Sequence, residues 1–484
     1  MKNILSNHHL RHIAFLEYLN KSQWVTLKET ALRINYPVNS LRYDIENINK
    51  YIYPVEITTS MKMGIKLVIP KRYSVTYIYS AVLKDSKEVD LIEAIFFNKK
   101  KKLEDLALSL FMSLSTLKRM VSKLNKILVK HHFQLSTHPL MITGDERAIC
   151  RFMNYLLSEK YPNGDFPFDP KHLESAESLV IELFNRNSKE VTYSELEKLK
   201  LWVLIGIQRI KQGHSMYFVK DTVHNYDQSI LDQPEMLKQF FSDFGIKLDQ
   251  GILHRLFFIV VDNHYQVEHG QLSTLEDRQG RCLVNKIESF LEELSVKYSV
   301  PLSNRTELIL ALYNKIQLST GKGFILFNKE KHFFENFYTK HRELSKTVLA
   351  DIKKELEGAP QEKGKEYLIF YTLITYWPSF IKAFENSLSK VSIGLFFSTD
   401  KKHIEFLKER VSSFFEGRIT VEIMNHLNIT SFRKVANKYD MILTNLVIED
   451  LDDVVIVSFP LHADIKTMEL LKVKYEEIYA RKFL

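Results

Sequence analysis

Ser113 to Leu128 read SLSTLKRMVSKLNKIL. Leu117, Val121 and Leu124 recur at the spacing that lines one side of an α-helix, which leaves Thr116, Lys118, Arg119, Ser122 and Lys123 facing elsewhere. A basic amphipathic helix of this kind is solvated surface, a membrane-surface helix or the reading helix of a DNA-binding module. The spacing alone does not choose among these, so the surroundings must.

The surroundings contain a second copy. A shift of 76 residues lays TLKETALRINYPVNSLRYDIENINKYI, starting at Thr26, on KLEDLALSLFMSLSTLKRMVSKLNKIL, starting at Lys102. Leu27 falls on Leu103, Ala31 on Ala107, Leu41 on Leu117, Ile45 on Val121, Ile48 on Leu124, Asn49 on Asn125, Lys50 on Lys126 and Ile52 on Leu128. Each copy reads as a short helix with a small alanine at its centre, a break, and a second helix opening on a capping residue. The expected caps are Asn39 or Ser40 in the first copy and Ser113 or Ser115 in the second. The breaks YPVN and FMSLS match the turn of a helix-turn-helix, although neither holds the frequent glycine. Alternating segments follow, Val55 to Pro70 and Phe133 to Gly144, with the pattern of a two-stranded wing. Helix, turn, helix and hairpin in that order resemble a winged helix-turn-helix.

Charge points the same way. Residues 1–160 hold 25 Lys and Arg against 14 Asp and Glu, a balance of +11, whereas the remainder carries −3 of the total of +8. One such helix pair is most simply solvated surface. Two in register, carrying all the net positive charge, point to a polyanion-binding module. By analogy with major-groove docking, the residues expected at double-stranded DNA are Ser115, Thr116, Lys118, Arg119, Ser122 and Lys123 in the second copy, and Ser40, Arg42, Tyr43 and Asn47, with Glu46, in the first. The first set is nearly neutral, so the second should dominate electrostatically. The run Lys99 to Lys102 is also explained by closure of the preceding helix, where cations suit the dipole.

At 484 residues the chain suggests three or more domains, and 45% hydrophobic with 26% charged residues is the composition of an ordinary folded protein. Cys150 and Cys282 are far apart, which supports neither a disulfide framework nor a clustered zinc site. The N-terminus lacks an apolar signal core, and LIFYTLITYWPSFI is too short and broken to span a bilayer, so a cytoplasmic protein without a membrane is expected.

From about residue 145 to 388 the periodicity is helical, which suggests two bundles meeting near Val267 to Arg281. This region has no P-loop, no glycine-rich dinucleotide fingerprint and no nucleophile elbow, so neither catalytic residues, cofactor nor metal is expected. Its histidines, His172, His214, His224, His254, His264, His269, His332 and His341, lack metal-ligand spacing. From Lys390 the pattern alternates strand and helix, as in a small parallel α/β domain. Its first loop, STDKKH, stands where such folds bind phosphate but is not glycine-rich.

This order resembles the Mga/AtxA family of Gram-positive global (virulence) transcriptional regulators, with LSTHPLMITGDERAICRFMNYL and YPNGDFPFD especially similar. The resemblance implies a mainly α multidomain chain. It has two winged helix-turn-helix units (residues 1–72 and 73–160) and two helical PRD-like regulatory bundles (161–275 and 276–388). An EIIB-like α/β domain (389–484) follows them. It further implies a homodimeric DNA-binding regulator, an activator rather than an enzyme, tuned by phosphocarrier proteins of the sugar phosphotransferase system. Two departures stand out. The position after the first tail strand reads Phe397, Ser398, Thr399, Asp400 without the cysteine of an active phosphocarrier. The helix LEKLKLWVLIGI has no histidine, leaving His214, His224, His332 and His341 as candidate phosphorylation sites. An RNA-binding antiterminator and a phosphotransferase-system component are the alternative readings.

Overall fold

The computed structural model describes residues 1–97, 102–186, 192–214, 234–247, 272, 278–318, 325–355, 365–387, 390–415, 417–424, 429–448, 454–462 and 464–483. It forms two compact units, residues 1–265 with 317–329, and residues 266–316 with 330–484.

In the first unit, each repeat is three helices and a hairpin. The first copy comprises α1 (Asn7–Asn20), α2 (Leu27–Ile34), α3 (Val38–Ile52), β1 (Glu56–Ser60) and β2 (Gly64–Val68). After a connecting helix, α4 (Val75–Asp85), come α5 (Lys87–Phe96), α6 (Leu103–Ser109), α7 (Leu114–Leu128), β3 (Phe133–Thr137) and β4 (Leu140–Gly144). Both hairpins are antiparallel, and in the first Val25 adds a bridge to Ile65.

The apolar stripe of the opening stretch is the reason α7 sits where it does. Leu117, Val121, Leu124 and Leu128 are buried, and full burial of each such side chain stabilises by about 1.5–3 kcal/mol. Leu41, Ile48 and Ile52 do the same for α3, and Ala31 and Ala107 are buried where the short helices pack against α3 and α7.

The turn between the two helices is built alike in both copies without glycine. Asn35 (φ 56°) and Phe111 (φ 54°), 76 positions apart, are both left-handed, and Tyr36 and Met112 each donate their N–H to Ala31 and Ala107 across 3.0 Å. Asparagine tolerates that conformation and phenylalanine is strained in it.

The helix starts differ from expectation in one copy. Ser113 caps α7, accepting from the Thr116 N–H at 3.2 Å, but α3 is entered through Pro37, three residues ahead of Ser40, with no side-chain cap. Proline is pre-set for a helix entry and the repeat fixes the turn length, which together override the capping preference of Asn39 and Ser40. A second difference concerns the lysine run. α5 ends at Phe96, and Lys102 is the residue from which α6 starts, so it does not close α5; Lys99 to Lys101 lie outside the described residues.

The hydrophobic core of the repeats continues without a break into α8 (Glu146–Lys160) and reaches Leu201, Trp202 and Ile205 of α10 (Tyr193–Lys211). α9 (Pro170–Arg186) and α10 pack with helix Pro234–Asp243 around Phe240 and Phe241. Buried Arg209 of α10 donates to Glu146 (2.8 Å) and to the Ile142 carbonyl (2.9 Å), tying the β3–β4 hairpin to the helical region. Residues 325–327 also belong here: Leu326 is buried in this core, and the Leu326 and Phe327 N–H groups donate to the Glu159 carboxylate at 2.8–2.9 Å.

In the second unit, helices Arg278–Tyr298, Arg305–Leu318, Arg342–Glu355, Glu366–Tyr376 and Pro378–Ser387 share a core around Tyr313, Phe370, Trp377 and Phe380. The expected seam Val267 to Arg281 lies largely outside the described residues. The tail folds as β5 (Val391–Leu395), β6 (Ile419–Ile423), β7 (Met441–Thr444) and β8 (Val455–Ser458), all parallel, in the order β6-β5-β7-β8. Helices Lys401–Phe414, Ile429–Ala436 and Ile465–Phe483 alternate with the strands, as the sequence pattern indicates. No described helix is long and apolar enough to cross a membrane.

Candidate nucleic-acid interface

The face of α7 opposite its buried stripe is open. Ser115, Lys118, Arg119, Ser122 and Lys123 are exposed and Thr116 is half-buried. The Ser113 hydroxyl lies 2.9 Å from that of Ser115 and 2.8 Å from that of Thr116, so the first turn presents a small hydroxyl cluster beside the cations. Lys123 is not wholly available, because its Nζ stands 3.8 Å from Glu88 of α5. On α3 the matching positions Arg42, Tyr43 and Glu46 are exposed, while Ser40 and Asn47 are half-buried. Ser40 thus sits inside the helix, where it supplies no cap.

Two fixtures hold these helices to their hairpins. Asn49 accepts from the Ile57 N–H (2.8 Å) and donates to the Ile57 carbonyl (3.0 Å). Asn125 does the same with Leu135, at 2.8 and 2.9 Å. A helix and the strand that follows it are therefore clamped in the same way in both copies. The sequence alignment pairs these asparagines, yet their identity alone carries no hint of the clamp.

α3 is also pinned from its own first helix. Asp44 is buried and receives Arg11 Nε at 2.5 Å and Nη2 at 2.8 Å, with His12 Nε2 at 3.1 Å from Oδ1. Burial pushes its carboxyl upward, but the Arg11 and His12 hydrogen bonds outweigh that and hold it at about 2. Three further apolar side chains of the repeats stand out to solvent. Leu32 and Leu108, 76 positions apart, are 83% and 75% exposed on the short helices, and Phe111 at the second turn is 92% exposed. The repeat alignment was the signal that could have found the leucines.

Each described candidate phosphorylation site has surroundings of its own. His214 is largely shielded, its Nδ1 3.5 Å from Glu146 and its Nε2 buried without a hydrogen-bond partner among the described residues; burial, then Arg209, lowers its pKa. His332 stands 3.1 Å from the Asn336 amide, and His341 stacks on Phe337 with Nδ1 3.3 Å from Arg418. His224 lies outside the described residues. In the tail, the N-terminus of helix Lys401–Phe414 is capped by the Asp400 carboxylate, which accepts from the His403 N–H at 2.9 Å. A carboxylate there competes with any phosphate for the same donors.

Comparison with known proteins agrees with this arrangement. Residues 71–157 match the Mga helix-turn-helix domain, and residues 177–377 match the M protein trans-acting positive regulator (MGA) PRD domain. The first match covers the second repeat and leaves the first outside it. A putative trans-acting regulator of Streptococcus pneumoniae is 25% identical over 471 residues, 94% of each chain. The anthrax toxin expression trans-acting positive regulator of Bacillus anthracis is 22% identical over 475 residues, covering 95% of this chain and 97% of that one. The capsule synthesis positive regulator AcpA of the same organism is 22% identical over 308 residues, 61% and 62% of the two chains. With both signature domains in order along the chain and near full-length likeness to such regulators, the protein belongs to the Mga/AtxA family of transcriptional regulators.

Proposed function

We propose that the chain binds double-stranded DNA through both repeats, each acting as a winged helix-turn-helix, and activates transcription from long sites with modest base specificity. The single observation that carries this reading is the pair of equivalent helix-to-hairpin clamps, Asn49 and Asn125, behind exposed helix faces of which the second bears Lys118, Arg119 and Lys123. A rigid helix with a hairpin beside it fits a groove and its flanking phosphates. The strained, exposed Phe111 and the hydroxyl cluster at Ser113 stand at the end of α7 from which such helices reach base edges.

The remainder of the chain reads as machinery that tunes this binding in the cytoplasm. Residues 161–275 and 276–388 are read as PRD-like bundles, and 389–484 as an EIIB-like tail that supports a homodimer. Among the described histidines, His341 is the best placed for a phosphocarrier, since Arg418 would pair with a phosphoryl group, whereas Glu146 would repel one on His214. The tail carries no phosphate in this reading, because its first loop has Phe397 and Ser398 where a thiolate is needed and Asp400 fills the helix cap.

The test is fluorescence anisotropy of a long mixed-sequence duplex at several salt concentrations, with wild type and the triple variant Lys118→Ala/Arg119→Ala/Lys123→Ala. A steep salt dependence in wild type, with the magnitude of the log–log slope reduced by roughly 2–3 in the folded triple variant, supports the reading. Equal binding by both proteins assigns the α7 face to solvent, and preference for hairpin RNA over duplex DNA favours the antiterminator reading.

A further inference from the structure

Three histidines of α1, His8, His9 and His12, gather against carboxylates from other elements. The His8 and His9 rings lie 4.0 Å apart and the His8 and His12 rings 5.4 Å. His12 is fully engaged, with Nδ1 2.9 Å from the Tyr51 hydroxyl and Nε2 on Asp44. The other two share a different set of partners. The Ser6 hydroxyl is 2.7 Å from His8 Nδ1 and 2.9 Å from His9 Nδ1, and Asp85, at the end of α4, places Oδ2 3.0 Å from His9 Nε2.

Counting hydrogens fixes the tautomers. A serine hydroxyl has one hydrogen, so it donates to one Nδ1 and accepts from the other. His9 Nε2 faces a carboxylate, which only accepts, so in the neutral ring Nε2 carries the hydrogen and Nδ1 takes the one from Ser6. His8 is then the ring that donates from Nδ1 to Ser6. Its Nε2 is left as an unprotonated lone pair on an exposed side chain.

We propose that His8, His9 and Asp85 form a binding site for a divalent transition metal ion of the zinc type, with solvent completing the coordination shell. One ring nitrogen of each histidine and one carboxylate oxygen already lie within 4.8 Å of one another. Ligands around a tetrahedral ion with bonds of about 2.0–2.1 Å sit roughly 3.3 Å apart. The closure needed is small, and His8 and Asp85, both exposed, are free to turn into it. Two imidazoles and one carboxylate select zinc-like ions over magnesium or calcium, which prefer all-oxygen shells. Ser6 supplies the outer hydrogen bonds that orient imidazole ligands. On binding, His9 exchanges its hydrogen through solvent from Nε2 to Nδ1, so that the ring stays neutral and Nε2 offers a lone pair to the ion, while Ser6 turns to accept from Nδ1 and Asp85 changes from acceptor to ligand. Sequence spacing gives no sign of the site, because Asp85 joins the adjacent histidines only through the packing of α1 against α4. The proposal does not depend on the DNA-binding reading.

The test is titration of the untagged full-length protein with cobalt(II) chloride, followed by visible d–d absorption, and with zinc chloride, followed by calorimetry. The expected result is one equivalent bound with a tetrahedral cobalt spectrum in wild type, and affinity lower by at least about tenfold in both His8→Ala and Asp85→Asn. Asp85→Asn keeps an oxygen to accept from His9, so its fold should survive, and thermal melting by circular dichroism in metal-free buffer checks both variants. Failure of wild type to bind, an octahedral spectrum, or wild-type affinity in either folded variant overturns the proposal.

Discussion

Asn49 and Asn125 stand 76 positions apart and grip Ile57 and Leu135 through the same two hydrogen bonds, side-chain carbonyl from the N–H and side-chain amide to the C=O. Two separate stretches of chain have thus reached one solution to a single problem, how to hold a projecting helix rigid against a hairpin. Removing either side chain leaves a backbone donor and acceptor without partners in a partly buried place, which costs about 1–3 kcal/mol. Asn125→Ala should therefore accelerate amide hydrogen exchange at Leu135 and its strand neighbours by about tenfold or more, leaving Ile57 unchanged. Asn49→Ala should do the reverse, and unchanged exchange in both variants would remove the clamp from the account.

Phe111 occupies the left-handed position that Asn35 fills in the first copy, yet it buries almost nothing. Phe111→Gly relieves that strain, and the added freedom of the unfolded chain offsets part of the gain. A net stabilisation of about 0.5–1 kcal/mol is expected, read as a higher denaturant midpoint of the transition that reports the N-terminal unit. If the same variant weakens duplex DNA binding, the exposed ring is kept for contact and not for folding.

The two repeats should differ in their dependence on salt. Lys118 and Arg119 are exposed cations on α7, whereas Lys123 shares its charge with Glu88 and the equivalent α3 face offers Arg42 beside Glu46. Lys118→Ala and Arg119→Ala should each reduce the magnitude of the salt slope of DNA binding by about 1, and Lys123→Ala by less. Arg42→Ala should also fall below the α7 cations. An equal loss at all four positions would contradict the electrostatic asymmetry.

Glu159 gives the N-terminal unit a pH dependence of its own. Burial pushes its carboxyl up to about 7, and the Phe327 and Leu326 N–H donors, with the Met1 amino group, only partly counter that. Because the folded value lies above the ordinary carboxyl value of 4.5, the folded state binds the extra proton between the two values. The stabilising contribution is therefore complete below about 4.5 and is lost as pH rises through about 7. Wild type should melt at lower temperature at pH 7.5 than at pH 5.5, and Glu159→Gln should flatten that part of the profile. A profile identical in both proteins would assign the dependence to another group.

The amphipathic face of α7, the 76-residue repeat, the two hairpins and the alternating tail were legible because each is a local pattern along the chain. The start of α3 was misread where turn geometry, shared through the repeat, overrode a capping preference at Asn39 and Ser40. The candidate histidines have only their residue type in common. Of the described ones only His332 lies within a helix, while His214 follows the end of α10, shielded beside Glu146 and Arg209, and His341 stands between two helices beside Arg418.

By itself the sequence determined the helical faces, the duplicated unit and the one-sided charge, because burial of apolar surface is non-directional and follows the helix and strand periods closely. Only the tertiary structure decided that Asn125 meets Leu135, that Arg209 reaches the Ile142 carbonyl, and that His8 and His9 stand beside Asp85. Those contacts are hydrogen bonds and ligand geometries, which are short-ranged and directional. They exist only once packing has fixed the elements to a fraction of an ångström, whether neighbours along the chain, as for Asn125, or distant ones, as for Arg209 and Asp85.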